Sequence, residues 1–399
     1  MATFFLTIIY LAFISLGLPD SLLGAAWPVM HADLDAPLGA AGVLSMTIAS
    51  GTIVSSLASG AILRRFGTGA VATVSCMMTA GALLGFSVAP SFIWLILFAI
   101  PLGLGGGSVD AGLNHYVAAH YKAHHMSWLH CFWGVGATLG PMIMASYISG
   151  PGSWRDGYLT VAAIQGVLVL ILFFTLPLWN RVAADSRSRP GAPGAAEDAT
   201  EPDETPDGKP AKPLRVKGVK LALVAFLFYC GVEATAGLWG SSFLVDVKGL
   251  TAGTAAQWVS MYYAGITVGR LITGFVTFKA SNRQLIRGGQ LVALAGTVLL
   301  LLPLPDAASL AGLMIVGLGL APIFPCMLHE TPVRFGKRHA QTIMGYQMAV
   351  AYTGSTLMPP LLGLLASHST IGIFPAYLVV SAAAMLLFSE RLNGLLRRA

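Results

Sequence analysis

The chain repeats one pattern from end to end: a run of about twenty predominantly apolar residues, then a short polar break. Crossing the hydrocarbon of a bilayer takes roughly 20 such residues as a helix. The sequence offers roughly twelve runs, at about 3–30, 40–63, 69–89, 92–117, 127–149, 156–179, 219–245, 255–278, 285–304, 307–329, 340–367 and 371–389. In lipid the backbone must satisfy its own N–H and C=O groups, so runs of this length are read as helices. The first run begins where a secretory leader would. It lacks a basic n-region and stays apolar beyond the 7–15 residues of such a signal, so it reads as a span. Composition sets the same limit: 10% of residues are charged and 55% hydrophobic, against about 25% charged in soluble domains. Of the 40 charged residues, 15 fall within 181–220. What remains could not cover a water-soluble globule. A soluble enzyme, a nucleic-acid binder and a disordered scaffold are excluded, leaving an all-α integral membrane protein.

The bases alternate between the loops. Arg64 and Arg65, Lys122, the 181–220 segment, Lys279, Arg283 and Arg287, Arg334, Lys337 and Arg338, and Arg391, Arg397 and Arg398 hold 20 of the 23 Lys and Arg residues. The opposite loops hold Arg155 and Lys248, and Arg270 lies inside a span. The positive-inside rule makes the rich side cytoplasmic, with both termini there. The expected location is a bacterial-type plasma (inner) membrane. The net charge of +6 is thus a topology signal, and no nucleic-acid partner is expected. Residues 181–217 change to Pro, Gly, Ala, Glu and Asp without an apolar period, which reads as a flexible cytoplasmic linker. The expected domains are therefore a six-helix bundle over 1–180, the linker over 181–217 and a second six-helix bundle over 218–399.

The two halves repeat. Gly51 and Gly60 match Gly265 and Gly274 at an offset of 214, and Gly103-Leu104-Gly105 matches Gly317-Leu318-Gly319 at the same offset. Gly136-Ala137-Thr138-Leu139-Gly140-Pro141 matches Gly354-Ser355-Thr356-Leu357-Met358-Pro359 at 218, and Asp20 and Gly24 match Glu233 and Gly237 at 213. Both copies start on the same side, so the repeat is parallel, the arrangement of a two-bundle carrier with a central site.

Gly60-Ala61-Ile62-Leu63-Arg64-Arg65-Phe66-Gly67, together with the two bundles and the central loop, resembles the major facilitator superfamily. The loop motif of that family runs G-x-x-x-D-R-x-G-R-K. Gly60, Arg65 and Gly67 fit it, Arg64 stands at the Asp position, and Thr68 and Gly69 replace the following bases. Three stretches resemble the branch containing fucose-permease-type sugar/proton symporters: Gly17-Leu18-Pro19-Asp20 with Gly24 and Trp27-Pro28; Gly103-Leu104-Gly105 leading to Asp110 and Asn114; and Trp128-Leu129-His130 before Gly134-x-Gly136 and Gly140-Pro141. The resemblance implies twelve transmembrane helices in two parallel six-helix bundles, with spans 1, 4, 7 and 10 lining a central cavity.

A carboxylate within a span costs a few kcal/mol or more unless it meets water, a partner or a proton. Asp20, Asp110 and Glu233 are clear of the span ends and fall on three of those four spans. Loss of hydration favours the neutral carboxyl, so an acid that alternates between wet and dry surroundings can carry a proton across. Asp20, Asp110 and Glu233 are accordingly the proton-coupling candidates. The alternatives are a permanently protonated acid holding helices together and, for Glu233, hydrogen bonding to substrate. Gly103, Gly107, Asp110 and Asn114 follow i, i+4, i+7 and i+11, a single helix face. Arg270, also in the cytoplasmic half by count, needs an acidic or carbonyl partner. Asp110 is the first choice by depth and span-5 polar groups the second; either makes Arg270 a gating contact.

Sugar sites combine amides, acids and aromatic platforms, which singles out Trp27, Asn114, His130, Tyr229, Trp239, Tyr346 and Gln347 as substrate-binding candidates, each with a plain packing or interfacial alternative. His120, His124, His125 and His130 lack an acid or thiolate partner, and Cys76, Cys131, Cys230 and Cys326 lie apart in apolar runs; no metal and no cofactor are expected. Gly103-Leu104-Gly105-Gly106-Gly107 follows no strand, so it reads as small-residue helix packing and not as a phosphate loop. No HExxH or G-x-S-x-G is present, and an enzyme is not expected. The expected function is proton-coupled uptake of a small neutral solute, a sugar or polyol, by a monomeric carrier that rocks around a central site. Two alternatives stand: proton-driven efflux, favoured by the likeness of Gly136-x-x-x-Gly140-Pro141 to a span-5 motif of antiporters, and a non-transporting receptor on a carrier scaffold.

Overall fold

The computed structural model describes residues 2–120, 123–187, 213–277 and 279–397. Among them are fourteen α-helices: α1 Ala2–Asp20, α2 Leu22–Asp33, α3 Ala40–Phe66, α4 Thr68–Val88, α5 Phe92–His120, α6 Ala123–Ile148, α7 Trp154–Arg187, α8 Val219–Asp246, α9 Ala252–Val276, α10 Asn282–Leu301, α11 Asp306–Leu320, α12 Ile323–Phe335, α13 Lys337–Ser367 and α14 Phe374–Arg397. No strand occurs among the described residues.

These helices make up the expected spans, two of them broken. Span 1 is α1 and α2, parted at Ser21 after Pro19; span 10 is α11 and α12, parted at Ala321 and Pro322. Proline brings no N–H to the helix ladder and crowds the preceding turn, which accounts for breaks at these places. Among the described residues, eleven spans are both long and apolar enough to cross a membrane. The twelfth, α9, has the length at 25 residues, but Gln257, Arg270 and its hydroxyl side chains lower its hydropathy. Large apolar side chains point outward along the spans, Leu57 at 83% exposure and Phe174 at 76%. That is the inverse of a soluble surface and suits contact with acyl chains.

The repeat recurs as repeated helix crossings. In the first half, Gly103 of α5 lies against the Ile48 carbonyl of α3, and Gly51 of α3 against the backbone of Gly103 and Leu104. In the second, Gly317 of α11 lies against the Tyr262 carbonyl of α9, and Gly265 against Gly317 and Leu318. Gly105 meets Ser75 and Thr79 of α4, as Gly319 meets Gly289 and Ala293 of α10. Each partner is displaced by the same 214 residues. Backbones this close leave no room for a Cβ, which is why small residues collect there. α6 crosses α1 with Gly136 at Ile14 and Leu18, and Gly140 at Leu18. α13 crosses α8 with Gly354 at Leu227 and Gly231, and here Met358 fills the space above Gly231. Gly67, between α3 and α4, has φ of +77°, a backbone angle that glycine adopts without a side-chain clash.

The chain divides into two compact units, Met1–Glu197 with Leu244–Ser260, and Asp198–Phe243 with Met261–Ala399. Residues 244–260 of the second half thus belong to the first unit. The first has a core that includes Phe5, Phe13, Leu113, Tyr116, Leu172 and Trp179; a cluster in the second contains Val219, Leu223, Phe335, Ile343 and Leu392. The linker read over 181–217 lies mostly outside the described residues. α7 runs into its first seven positions, as far as Arg187; no proline or glycine stands in that stretch to stop it.

Candidate functional site

In the first unit the site is built on α1, α5 and α6. Gly17 admits the Trp133 carbonyl of α6 against α1, which places the Trp133 indole beside the end of α1. Its Nε1–H donates to Asp20 Oδ2 at 2.8 Å. Asp20 is exposed, deep in the run that makes span 1. On α5, Asn114 Nδ2 donates to Asp110 Oδ1 at 2.8 Å and to the Asp110 carbonyl at 3.0 Å, the one-turn spacing expected from their numbers. Asp110 is near enough for its charge to act on Asp20. His130 is half-buried, its ring edge-on to Phe13 with centroids 6.0 Å apart. Further along the same pair of helices Tyr10 stacks on Phe132 at 4.6 Å, and its hydroxyl lies 3.0 Å from His125 Nδ1.

In the second unit α8 and α9 carry the charges. Arg270 Nη2 is 3.5 Å from Glu233 Oε1, with the two side chains 15% and 19% exposed. Within this unit the carboxylate that meets Arg270 is Glu233, whereas the sequence pointed first to Asp110. Counting residues gives depth alone, and an arginine side chain reaches about one helical turn (roughly 5 Å), enough to meet an acid slightly deeper on the adjacent helix. The Tyr262 hydroxyl donates to the Glu233 carbonyl at 2.9 Å. The Tyr229 hydroxyl is buried and lies within electrostatic reach of both Glu233 and Arg270. A second internal pair, Arg334 to Glu330 at 2.7 Å, closes one turn of α12.

Several substrate candidates sit in the interior. Trp27 is fully buried and donates from Nε1 to the Leu38 carbonyl at 2.8 Å. Trp239 is fully buried and donates to the Pro359 carbonyl at 2.9 Å. Gln347, 1% exposed, accepts from Thr331 Oγ1 at 2.9 Å and so ties α13 to α12. Tyr346 packs on the cluster around Ile343. Trp27, Trp239 and Gln347 therefore present no surface to a solute, whereas Tyr346 is half-buried. Asp20 is exposed and Asp110, Asn114 and His130 are half-buried in one unit; Glu233 and Arg270 are mostly covered in the other. Two participants were not singled out from the sequence: Trp133 and Tyr262. Trp133 stands three residues before Gly136 on the small-residue face of α6, and that spacing is the signal that marks it. Among the described residues no group of three His, Cys, Asp or Glu side chains is placed to hold a metal; the side chains of His120 and His124 lie outside the described set. Each unit thus places carboxylates beside hydrogen-bond donors: Asp20 with Trp133 and Asp110 with Asn114 in the first, Glu233 with Arg270 in the second.

Comparison with known proteins agrees with this architecture. The chain is 24% identical over 328 residues to Bypass of stop codon protein 6 of Saccharomyces cerevisiae, which covers 74% of this chain and 64% of the yeast protein. It is 24% identical over 311 residues to the glucose/mannose transporter GlcP of Bacillus subtilis, covering 74% of this chain and 72% of that protein. Among solved structures, a bacterial homologue of the human lysosomal transporter Spinster superposes with a TM-score of 0.74 at 13% identity, covering 100% of this chain and 97% of that one. The transporter FucP in its outward conformation gives 0.63 at 14% identity, covering 97% and 98%. At such identities the superpositions speak for the fold. The family model described as Major Facilitator Superfamily matches residues 9–359, and with spans, repeat and relatives in agreement, the chain belongs to the Major Facilitator Superfamily of membrane transporters.

Proposed function

We propose that the protein imports a small neutral solute, a sugar or polyol, together with protons, by alternating access between its two bundles. The observation that carries this reading is the exposed carboxylate of Asp20 in the middle of a span, within the field of Asp110. A charge at that depth turned toward lipid would cost several kcal/mol, so the exposure is best understood as opening onto water. Asp110 with Asn114, and Glu233 with Arg270, supply paired acceptors and donors of the kind that hydroxyl groups require. The similarity to a protein named as a glucose/mannose transporter supports the solute class. Proton coupling rests on Asp20, Asp110 and Glu233, gating on Arg270, and solute contacts on Asn114 and His130. Both termini face the cytoplasm, the chain works as a monomer, and 181–217 joins the bundles over 1–180 and 218–399.

Efflux is the second reading, favoured by Gly136, Gly140 and Pro141, the antiporter-like motif that sets the α6–α1 crossing. Proteoliposomes loaded with a pH-sensitive dye separate the two. Solute-evoked proton entry is expected; solute-evoked proton exit would make the protein an antiporter, and binding without proton movement a receptor.

A further inference from the structure

We infer that Asp20 and Trp133 form a competitive solute subsite, in which a hydroxyl of the solute displaces the indole N–H from Asp20 Oδ2 and the freed indole face receives the apolar face of the solute. The inference rests on the sugar or polyol reading above and names where such a solute is held.

An indole has a single donor and no acceptor. Trp27 and Trp239 give theirs to backbone carbonyls at 2.8 and 2.9 Å, and both rings are fully buried. Trp133 differs in each respect: its ring is half-buried and its N–H is held at 2.8 Å by an exposed carboxylate. An exposed acceptor can exchange one donor for another without being left unsatisfied, whereas a buried one cannot. The backbone on either side is fixed, because Gly17, Gly136 and Gly140 bring α1 and α6 into close contact. Exchange at Asp20 therefore moves the Trp133 side chain and not the helix. The neighbouring Tyr10–Phe132 stack continues the aromatic surface along the same two helices. A hydroxylated ring or chain with one C–H face matches this combination of an acceptor and an aromatic plane.

The test measures binding of D-glucose, D-mannose and mannitol to the purified full-length protein by calorimetry, for wild type, Trp133→Phe and Trp133→Ala. Phenylalanine keeps an aromatic plane and removes the competing donor, so Trp133→Phe should bind up to roughly tenfold more tightly, while Trp133→Ala should bind at least roughly tenfold more weakly. A ring that served packing alone would give weaker or unchanged binding in both variants. Weaker or unchanged binding in Trp133→Phe overturns the proposal, and that variant, which preserves the bulk against α1, decides the matter even where Trp133→Ala fails to fold. If wild type binds none of the three probes, the subsite and the sugar or polyol reading fall together. If the opposed effects appear without any proton movement in the liposome assay, the subsite stands and the coupling proposed above falls.

Discussion

Asp110 and Glu233 have different surroundings, and substitution should separate them. Asp110→Asn keeps a polar group beside Asn114 but has no proton to release. Solute exchange at equal pH should persist while accumulation driven by a pH gradient is lost; undiminished accumulation would remove Asp110 from the coupling role. Glu233→Gln leaves Arg270 without its carboxylate in a site where both side chains are mostly covered. Breaking a buried pair on one side costs about 3 kcal/mol, so a fall of several degrees in thermal stability is expected. Arg270→Lys retains the charge and loses the planar fork; it should restore most of that stability relative to Arg270→Ala yet slow transport, and wild-type transport in this variant would argue against a need for the fork. The acids themselves were legible in the sequence, because a charge inside an apolar run stands out. The partner of Arg270 was not, since residue counting yields depth and says nothing of the direction in which a side chain leaves the helix. The same limit applies to Trp27 and Trp239: an aromatic at a favourable depth can face inward, and both do.

Between helices, contact depends on glycine. A leucine at Gly103 or Gly317 would meet the carbonyl of Ile48 or Tyr262; overpacking of this kind costs typically 1–3 kcal/mol and more where backbone must move. Gly103→Leu and Gly317→Leu should both reduce folded yield, whereas Gly81→Leu and Gly274→Leu, where nothing lies within 4 Å, should leave it unchanged. Size-exclusion profiles of the four variants check this. The glycine pairs at offset 214 that proved to be crossings are 51/265, 103/317 and 105/319; the pair 60/274 has no comparable close packing. Sequence matching detects that a glycine recurs, and only geometry reveals which recurrences hold helices together. The breaks in spans 1 and 10 were likewise hidden, because the apolar run continues through Ser21 and Ala321 while the backbone ladder does not.

For the whole chain, the distribution of Lys and Arg makes a directional prediction. An impermeant maleimide applied to intact cells should label Pro151→Cys and Ser369→Cys and spare Lys279→Cys, which should react only after permeabilisation. The reverse pattern would invert the topology and place both termini outside. All twelve runs, 255–278 included, are matched by helices, and α9 carries the weakest signal because its polar side chains dilute what its length supplies. At the α1–α6 crossing Gly140 makes room for Leu18, while at the matching α8–α13 crossing the roles are exchanged and Gly231 makes room for Met358. Duplication thus preserved a spacing between rods and left open which of them would provide the notch. Ancestry in such a molecule is inscribed in distances more durably than in letters, and a search for kinship between its halves that scores one position at a time will overlook a correspondence that belongs to the pair.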